Sequence, residues 1–332
     1  KNRHGEDWTT PVKNQGGCNS CWAFGTTAAT ELLVNLYYNR QLDYDLSEQN
    51  IISCSEGSCS DGGEPGSALN YARDIGIVME DCFPYTASDQ ECSEMCGNPL
   101  ERIKIDHWTV DNSYSNTVDY KKRKIINGAT TVSIIPWEHF MQAVGYKVLE
   151  EGDNFFLADA QDEVSDIDST FWITMEQNNP LIGQTAWQCK NSWGEDWGDN
   201  GYVYLTNLTG NSRYIKMYSL YGPVSSLELN ETDVLCTDND GDGYYCWGVG
   251  PKPSHCPNSP DEPDGDDSDP CIGPMDEYGN FSHTTPTPDA KDTLVLYGQM
   301  VPDLYAAGTN IRWYSDKKLL NLVHTGNEFS TG

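Results

Sequence analysis

The chain has 332 residues, of which 51 are acidic and 20 are basic, giving a net charge of −31. This length predicts two or three domains. The charge excludes nucleic-acid binding, which needs a basic surface, disfavours anionic membranes, and favours metal cations. No run of about 18 apolar residues occurs, so we expect no membrane insertion. Twelve cysteines, many in polar, turn-rich stretches, favour disulfides and a secreted or cell-surface (extracellular) location.

The predicted elements are helical first and β-rich later. Apolar residues recur every four positions between Cys21 and Tyr38 and predict a buried helix with one face formed by Phe24, Ala28, Leu32 and Leu36. A second, short helix is predicted to open at Ser47, and a third to run from Gly66 to Ile75. Further on, alternating or β-branched stretches predict strands at 129–135, 140–149 and 201–205.

Cys18 and Cys21 are three residues apart, a spacing found in redox dithiols, in half-sites for zinc, and between thiols with unrelated roles. No second ligand pair or thioredoxin-type βαβ pattern accompanies them, which favours separate roles. A thiol at the start of a helix meets the positive end of the helix dipole, and this favours the thiolate. A thiolate nucleophile also needs a base and a group that orients the base.

Two other segments can supply these groups. Of the six histidines, only His139 lies in an apolar, strand-like context. Asn191 lies among aromatic residues, where its amide can hydrogen-bond an imidazole while indoles exclude water.

Three stretches resemble the catalytic blocks of papain-like cysteine peptidases, in that family's order of Cys, His and Asn: PVKNQGGCNSCWAF, HFMQAVGY and CKNSWGEDWGDNGY. Two further stretches, SEQNIISC and CSDGGEP, are similar to family segments between the first two blocks. The resemblance covers roughly residues 6–222. It implies an α+β, two-lobed fold with a helical lobe and a β-barrel-like lobe. It also implies an endopeptidase that is made as a zymogen, needs no cofactor for catalysis, and cleaves protein or peptide substrates through a thioester acyl-enzyme. We expect a monomer.

The resemblance assigns roles to individual residues. Cys21 is the nucleophile, His139 is the base and then the acid, and Asn191 orients the imidazole. Gln15 and the Cys21 N–H stabilise the oxyanion, and the ligand-free site is expected to hold a thiolate–imidazolium pair. Trp193 covers the Asn–His hydrogen bond.

The same resemblance implies a substrate cleft and a set of disulfides. Gly62 and Gly63 are expected to pair with a bound peptide, and Pro65 to line the specificity pocket. The implied disulfides are Cys18–Cys59 and Cys54–Cys92, with Cys82–Cys96 as an additional pair and Cys189 unpaired. The chain departs from the family in the long separation of His139 and Asn191, which predicts an acidic insertion at 150–185, as a lid or rim of the cleft.

Residues 223–288 are acidic, rich in Gly and Pro, and predicted to lack an ordinary apolar core. One cluster, Asp238, Asp240 and Asp242, has the spacing of the start of an EF-hand-like calcium loop, although position 12 is Val249 rather than Glu. A second cluster contains Asp261, Asp264, Asp266, Asp267 and Asp269. Together they resemble thrombospondin type 3-like linkers of secreted bacterial proteins, which implies structural Ca²⁺; a solvated acidic linker is the alternative. We expect disulfides Cys236–Cys246 and Cys256–Cys271 here.

Residues 289–332 alternate again, with strands predicted at Thr293–Tyr297 and Asn310–Tyr314. They resemble the start of an immunoglobulin-like module of the kind found on secreted Bacteroidota proteins, a partial β-sandwich. The predicted domains are therefore 1–222, 223–288 and 289–332. Two other functions remain open: a calcium-dependent adhesion or scaffold protein on an inactive peptidase fold, and a thiol acyltransferase.

Overall fold

The structure is a computed structural model. It describes residues 2–99, 101–111, 117–160, 172–206, 215–225, 229–257, 261–276, 281–283, 289–290, 303–307, 311–315 and 322–330. Of the helices in these ranges, none combines the length and the apolar character that crossing a bilayer requires.

The helices lie in the first part of the chain, as predicted. Within the described ranges they are α1 (Cys21–Tyr38), α2 (Glu48–Cys54), α3 (Pro65–Asp74) and α4 (Val118–Ile126). The predicted bounds of α1 are confirmed. Ser47 caps α2 by accepting a hydrogen bond from the Asn50 N–H, and Pro65 occupies the first turn of α3, where its missing N–H costs nothing.

Short strand pairs surround the helices: β1 (Asn2–Arg3) with β2 (Glu6–Asp7), β3 (Gly57–Ser58) with β4 (Gly62–Gly63), and β5 (Ile77–Val78) with β6 (Arg102–Ile103). The main sheet is built from β7 (His107–Asp111), β8 (Ala129–Ile134), β9 (His139–Val148), β10 (Asn154–Asp159), β11 (Trp172–Thr174), β12 (Thr185–Lys190), β13 (Tyr202–Thr206) and β14 (Ile215–Tyr221). Its strand order is β11-β10-β13-β12-β9-β8-β14-β7.

The sheet and the helices share a continuous core. Trp22 and Leu33 of α1 pack with Leu69 of α3 and with Phe140 of β9. A second cluster behind the sheet centres on Trp187 of β12. The α1 helix is buried on almost all sides, because it packs against helices on one side and the sheet on the other.

The predicted insertion enlarges the sheet. Strand β10 pairs in parallel with β13, and β11 pairs antiparallel with β10 at the sheet edge. The described part of the insertion is therefore a sheet extension, while residues 161–171 lie outside the described residues.

The acidic segment packs directly on α1 and adds apolar side chains to the core around that helix. Val234 and Trp247 are 5% and 3% exposed and belong to the same core as α1. The Leu235 N–H donates to Tyr38 O (2.9 Å) and the Val249 N–H to Leu36 O (3.0 Å). Residue 222 is therefore not a boundary of packing.

Four disulfides occur in the described residues, three of them the expected pairs Cys18–Cys59, Cys54–Cys92 and Cys82–Cys96. The fourth joins Cys236 to Cys256, so the predicted pairs Cys236–Cys246 and Cys256–Cys271 are wrong. The backbones of Thr237 and Cys246 pair directly through two hydrogen bonds. Because neighbouring residues of an extended strand point to opposite faces, Cys236 faces away from Cys246.

The last part of the chain forms small sheets. The strands are β15 (Ile272–Met275), β16 (Phe281–His283), β17 (Asp289–Ala290), β18 (Leu304–Ala307), β19 (Arg312–Tyr314), β20 (Leu322–Thr325) and β21 (Glu328–Phe329). The sheets are β15-β16, β17-β18-β21 and β19-β20. Strand β19 lies within the predicted 310–314 strand, whereas the predicted strand at Thr293–Tyr297 lies outside the described residues.

Candidate active site

Cys21 is the first residue of α1, and the start of this helix is left open. Ser20 precedes it without capping the helix through its side chain; its hydroxyl lies 3.0 Å from the Tyr85 hydroxyl instead. The N–H groups of Cys21 and Trp22 are directed at the thiol, whereas the Ala23 N–H donates to Ser20 O at 2.9 Å. Burial raises the pKa of the Cys21 thiol, while hydrogen bonds from the N–H groups of Phe140, Trp22 and Cys21 oppose this rise.

His139 is the first residue of β9 and is bound to Asn191 across the sheet. The His139 Nε2 lies 2.6 Å from Asn191 Oδ1. The same oxygen accepts the Ser192 backbone N–H at 2.7 Å, and only an oxygen can accept from an N–H, so the amide orientation is fixed. Nε2 must then carry the proton that it donates, which leaves Nδ1 as the basic nitrogen of a neutral His139.

The surroundings keep the His139 ring neutral. His139 and Asn191 are both buried, and the Trp193 ring lies 4.5 Å from the imidazole, centroid to centroid. Burial lowers the pKa of His139 to about 4, although the Asn191 hydrogen bond acts in the opposite direction. Burial thus disfavours the charged form of Cys21 and of His139, each taken separately, and the thiolate–imidazolium pair expected in the ligand-free site stays a prediction.

The Gln15 amide is buried and held at both ends by hydrogen bonds. Nε2 donates to Cys18 O at 2.8 Å, and Oε1 accepts from the Ser192 hydroxyl at 2.7 Å. A carbonyl oxygen can only accept, so the Cys18 contact identifies the nitrogen and one of its two N–H groups remains available. The Gln15 backbone N–H also donates to Ser192 O at 2.8 Å, which ties the Gln15 and Asn191 segments together.

The residues expected to line the substrate cleft lie in the β3–β4 hairpin and at the start of α3. Gly62 and Gly63 form β4, and a Cβ on Gly63 would overlap the Trp22 ring. The Asn19 N–H donates to Cys59 O at 2.9 Å, beside the disulfide that joins Cys59 to Cys18. This hairpin therefore lies against the turn that leads into Cys21. Pro65 begins α3, just beyond the hairpin.

Sequence reasoning missed a buried charge network behind the site. Lys13 Nζ lies 3.0 Å from Glu48 and 3.3 Å from Glu31. Burial opposes the charge on Lys13, but its carboxylate neighbours outweigh burial and raise its pKa. Lys190 Nζ donates to Thr10 Oγ1 at 3.0 Å. Lys13 and Lys190 immediately precede the segments of Gln15 and Asn191, so the network anchors both. A glutamate at position 31, beside the apolar run 32–34, was the available signal.

An aromatic row joins the site to the insertion. Beyond Trp193, successive ring centroids lie 5.0 Å apart to Trp197, 5.3 Å to Phe156 and 6.1 Å to Trp172. Phe156 is buried, and Trp172 is 48% exposed. The strands of the insertion therefore pack against the loop that carries Trp193.

The structure brings five of the eight predicted calcium ligands together. Asp238, Asp240 and Asp267 form one group, and Asp240, Asp242 and Asp264 form another. Burial, together with neighbouring carboxylates, raises the pKa of Asp240 to about 6 and of Asp264 to about 7.

The other three predicted ligands lie apart from these two groups. Asp261 is exposed. Asp266 lies 3.7 Å from His4, and Asp269 accepts the Cys271 N–H.

A family model described as "Papain family cysteine protease" matches residues 2–222, about two thirds of the chain. The chain belongs to the papain family of cysteine peptidases. It therefore has the papain-like α+β fold, which the helices and the large sheet described above display.

Two proteins similar to this papain-family chain come from the eukaryotes Paramecium tetraurelia and Theileria annulata. Cathepsin L 1 of Paramecium tetraurelia is 28% identical over 212 residues, covering 60% of this chain and 58% of the relative. A cysteine proteinase of Theileria annulata is 31% identical over 206 residues, covering 60% of this chain and 41% of the relative. The chain thus spans about half the length of the curated relatives that it matches. The bacterial source stays a prediction.

Among solved structures, the cysteine protease CMS1MS2 of Carica candamarcensis is 23% identical, with a TM-score of 0.45, and the match covers 65% of this chain and 97% of that one. The bromelain protease of Ananas comosus is 21% identical, with a TM-score of 0.45 and the same two coverages.

Proposed function

We propose that this papain-family chain is a cysteine endopeptidase that hydrolyses peptide bonds in proteins or peptides, with Cys21, His139 and Asn191 as a catalytic triad. The observation that carries the proposal is the 2.6 Å contact between His139 Nε2 and Asn191 Oδ1. It leaves Nδ1 as the base on the residue before Phe140, whose backbone N–H reaches the Cys21 thiol. A nucleophile, a base and a group that orients the base are thus adjacent.

Acylation follows from this arrangement. His139 Nδ1 takes the thiol proton while Cys21 Sγ forms a bond to the substrate carbonyl carbon. The carbonyl oxygen becomes an oxyanion and accepts hydrogen bonds from Gln15 Nε2 and the Cys21 N–H. His139 then gives its proton from Nδ1 to the leaving amine as the C–N bond breaks, which produces a thioester and a neutral imidazole.

Deacylation uses the same groups in reverse order. His139 Nδ1 takes a proton from water, whose oxygen attacks the thioester carbonyl carbon. The C–S bond then breaks, and the proton on Nδ1 returns to Cys21 Sγ. The products are a carboxylic acid and the free thiol, so no redox partner or metal is consumed.

Labelling and peptide cleavage test the proposal together. A peptidyl epoxide should alkylate Cys21 alone, identified by mass spectrometry of the digested protein, and Cys21→Ser should abolish cleavage of a peptide library. Cys189→Ala is the matched control, because burial raises the pKa of Cys189 and keeps its thiol out of reach. A folded protein with neither labelling nor cleavage would be the inactive scaffold that we kept as an alternative.

The acyltransferase alternative differs only in the acceptor. Amine nucleophiles added during turnover partition the thioester between hydrolysis and aminolysis. We expect hydrolysis to dominate at millimolar amine, and a product that is mainly the amide would favour the transferase.

Location and processing are further parts of the proposal. The four disulfides support a secreted or cell-surface protein, and synthesis as a zymogen remains implied by the family. Intact-mass measurement after thiol alkylation of protein from the native source tests the first point. Four retained disulfides are expected, and reduced cysteines at those eight positions would contradict it.

A further inference from the structure

Two loops of the acidic segment bring their carboxylates to one point. Asp240 and Asp242 lie on the first loop and Asp264 on the second, and one oxygen of each lies within 4.8 Å of the others. The Asp264 N–H donates to Tyr245 O at 3.0 Å, which holds the two loops side by side. Asp264 has no exposed surface.

In each of these three carboxylates, one oxygen accepts a hydrogen bond and the other does not. One oxygen accepts a nearby backbone N–H: Asp240 Oδ1 from Asp242, Asp242 Oδ1 from Tyr244, and Asp264 Oδ1 from Asp266. The other oxygen, Oδ2 in all three, is buried and has no hydrogen-bond partner. Buried carboxylate oxygens without partners are strongly unfavourable unless a cation satisfies them.

Among the residues that the structure describes, no basic side chain supplies such a cation. Within the described ranges, none of the ion pairs includes Asp240, Asp242 or Asp264. All three donors are hard oxygens, a set that suits Ca²⁺ rather than a transition metal.

The neighbouring group, which adds Asp238 and Asp267, is different. Asp267 accepts the Asn239 N–H at 2.6 Å, the Thr237 hydroxyl at 2.6 Å and the Asn239 side-chain amide at 2.7 Å. Its oxygens are already satisfied by donors of the first loop. Asp267 is therefore a positioning residue that joins the loops.

We propose that Asp240, Asp242 and Asp264 form one Ca²⁺ site, and that occupancy of this site holds the acidic segment on the C-terminal end of α1. Of the eight aspartates that the sequence predicts as calcium ligands, this proposal retains three. It does not depend on peptidase activity.

The second part of the proposal rests on the contacts at the base of the loops. Thr237 and Cys246 pair through two backbone hydrogen bonds of 2.8 and 3.0 Å, next to Asp238. On either side of this pair, Leu235 and Val249 donate their N–H groups to Tyr38 O and Leu36 O. The last carbonyls of a helix have no partner within the helix, and the acidic segment supplies the partners of two of them in α1, Leu36 O and Tyr38 O. A cation that orders the loops also orders these donors.

Calcium titration of the full chain tests the site. After chelation, calorimetric titration with CaCl₂ should show one strong site, and the melting temperature should rise with Ca²⁺ concentration. Asp264→Asn and Asp240→Asn should each weaken the affinity by about tenfold or more. Asp261→Asn removes the same charge from an exposed position of the same segment, and we expect unchanged affinity. MgCl₂ replaces CaCl₂ in a parallel titration and should bind more weakly.

Three results would overturn the site: no binding by the wild type, equal affinity of Asp264→Asn and Asp261→Asn, or tighter binding of Mg²⁺. If Asp264→Asn does not fold, the site is tested instead by hydrogen exchange of the wild-type protein with and without Ca²⁺. Ca²⁺ should then slow exchange at 237–245 and 261–269, and exchange that Ca²⁺ leaves unchanged there contradicts the site.

Hydrogen exchange also tests the link to α1. Removing Ca²⁺ should speed exchange of the Leu235 and Val249 amides and of the last turn of α1, while amides of β8 stay protected. Equal protection of these amides with and without Ca²⁺ would refute the link to α1 even if the metal binds.

Discussion

The proposed role of Gln15 as a donor to the oxyanion gives the most discriminating prediction about catalysis. Replacing Gln15 by Ala removes one donor to the oxyanion, which typically costs about 2.7–4 kcal/mol in the transition state, or roughly 10²–10³ in kcat. Replacing Ser192 by Ala removes only the 2.7 Å hydrogen bond to Oε1, while Cys18 O still holds Nε2 at 2.8 Å. That loss is about 1 kcal/mol, or about fivefold in rate.

Two assays separate this effect from damage to the nucleophile. Steady-state cleavage of one peptide gives kcat and KM for the wild type, Gln15→Ala and Ser192→Ala. Alkylation of Cys21 by iodoacetamide develops no oxyanion, so its rate should be the same in all three proteins. The reasoning fails if Gln15→Ala slows alkylation as much as cleavage, or if Ser192→Ala is the more severe change.

Three further predictions concern stability and pH. Asn39 ends α1 with φ of 50° and donates to Leu235 O and Cys246 O. In urea unfolding with Ca²⁺, Asn39→Gly should lower the free energy of unfolding by about 2 kcal/mol. Asn39→Ala should lower it by about 1 kcal/mol more, and equal losses would argue against a left-handed backbone at Asn39. Because His139 must be neutral to accept the thiol proton, its lowered pKa of about 4 predicts an acid limb of kcat/KM near pH 4. A limb near 6.5 would contradict the lowered pKa. Gly63→Ala, which would overlap Trp22, should cost about 1–3 kcal/mol in the same unfolding assay. Gly97→Ala, with open space around it, should change stability little.

The sequence predicted those parts of the fold that depend on local pattern. Helix α1 begins and ends where its four-residue apolar repeat does, because that repeat reflects burial of the helix itself. The strand that starts at His139 follows from a run of apolar residues in the same way. In contrast, β10 pairs with β13, and Tyr204, the partner of Leu157, lies more than forty positions later in the chain. A local sequence pattern does not indicate such a partner.

For the candidate site, too, the sequence predicted what depends on local motifs and missed what depends on contacts between distant residues. The order of Cys21, His139 and Asn191 was readable because the motifs around them are contiguous. The orientation of the Gln15 and Asn191 amides was not, because it depends on Ser192 and Cys18 meeting them in space. The pairing of Cys236 with Cys256 was missed for a related reason: sequence spacing does not show which face of a strand a thiol occupies.

Helix α1 depends on distant segments at its two ends. The turn before Cys21 lies within the family match, which ends at residue 222, whereas the donors to the Leu36 and Tyr38 carbonyls come from beyond it. The contacts that complete α1 therefore extend beyond the residues that the family model matches. A fragment cut at residue 222 would expose the part of α1 now covered by Val234 and Trp247 and lose two hydrogen bonds there. For this chain, a minimal fragment that keeps the papain-family fold should accordingly be delimited by the contacts of α1 rather than by the family alignment.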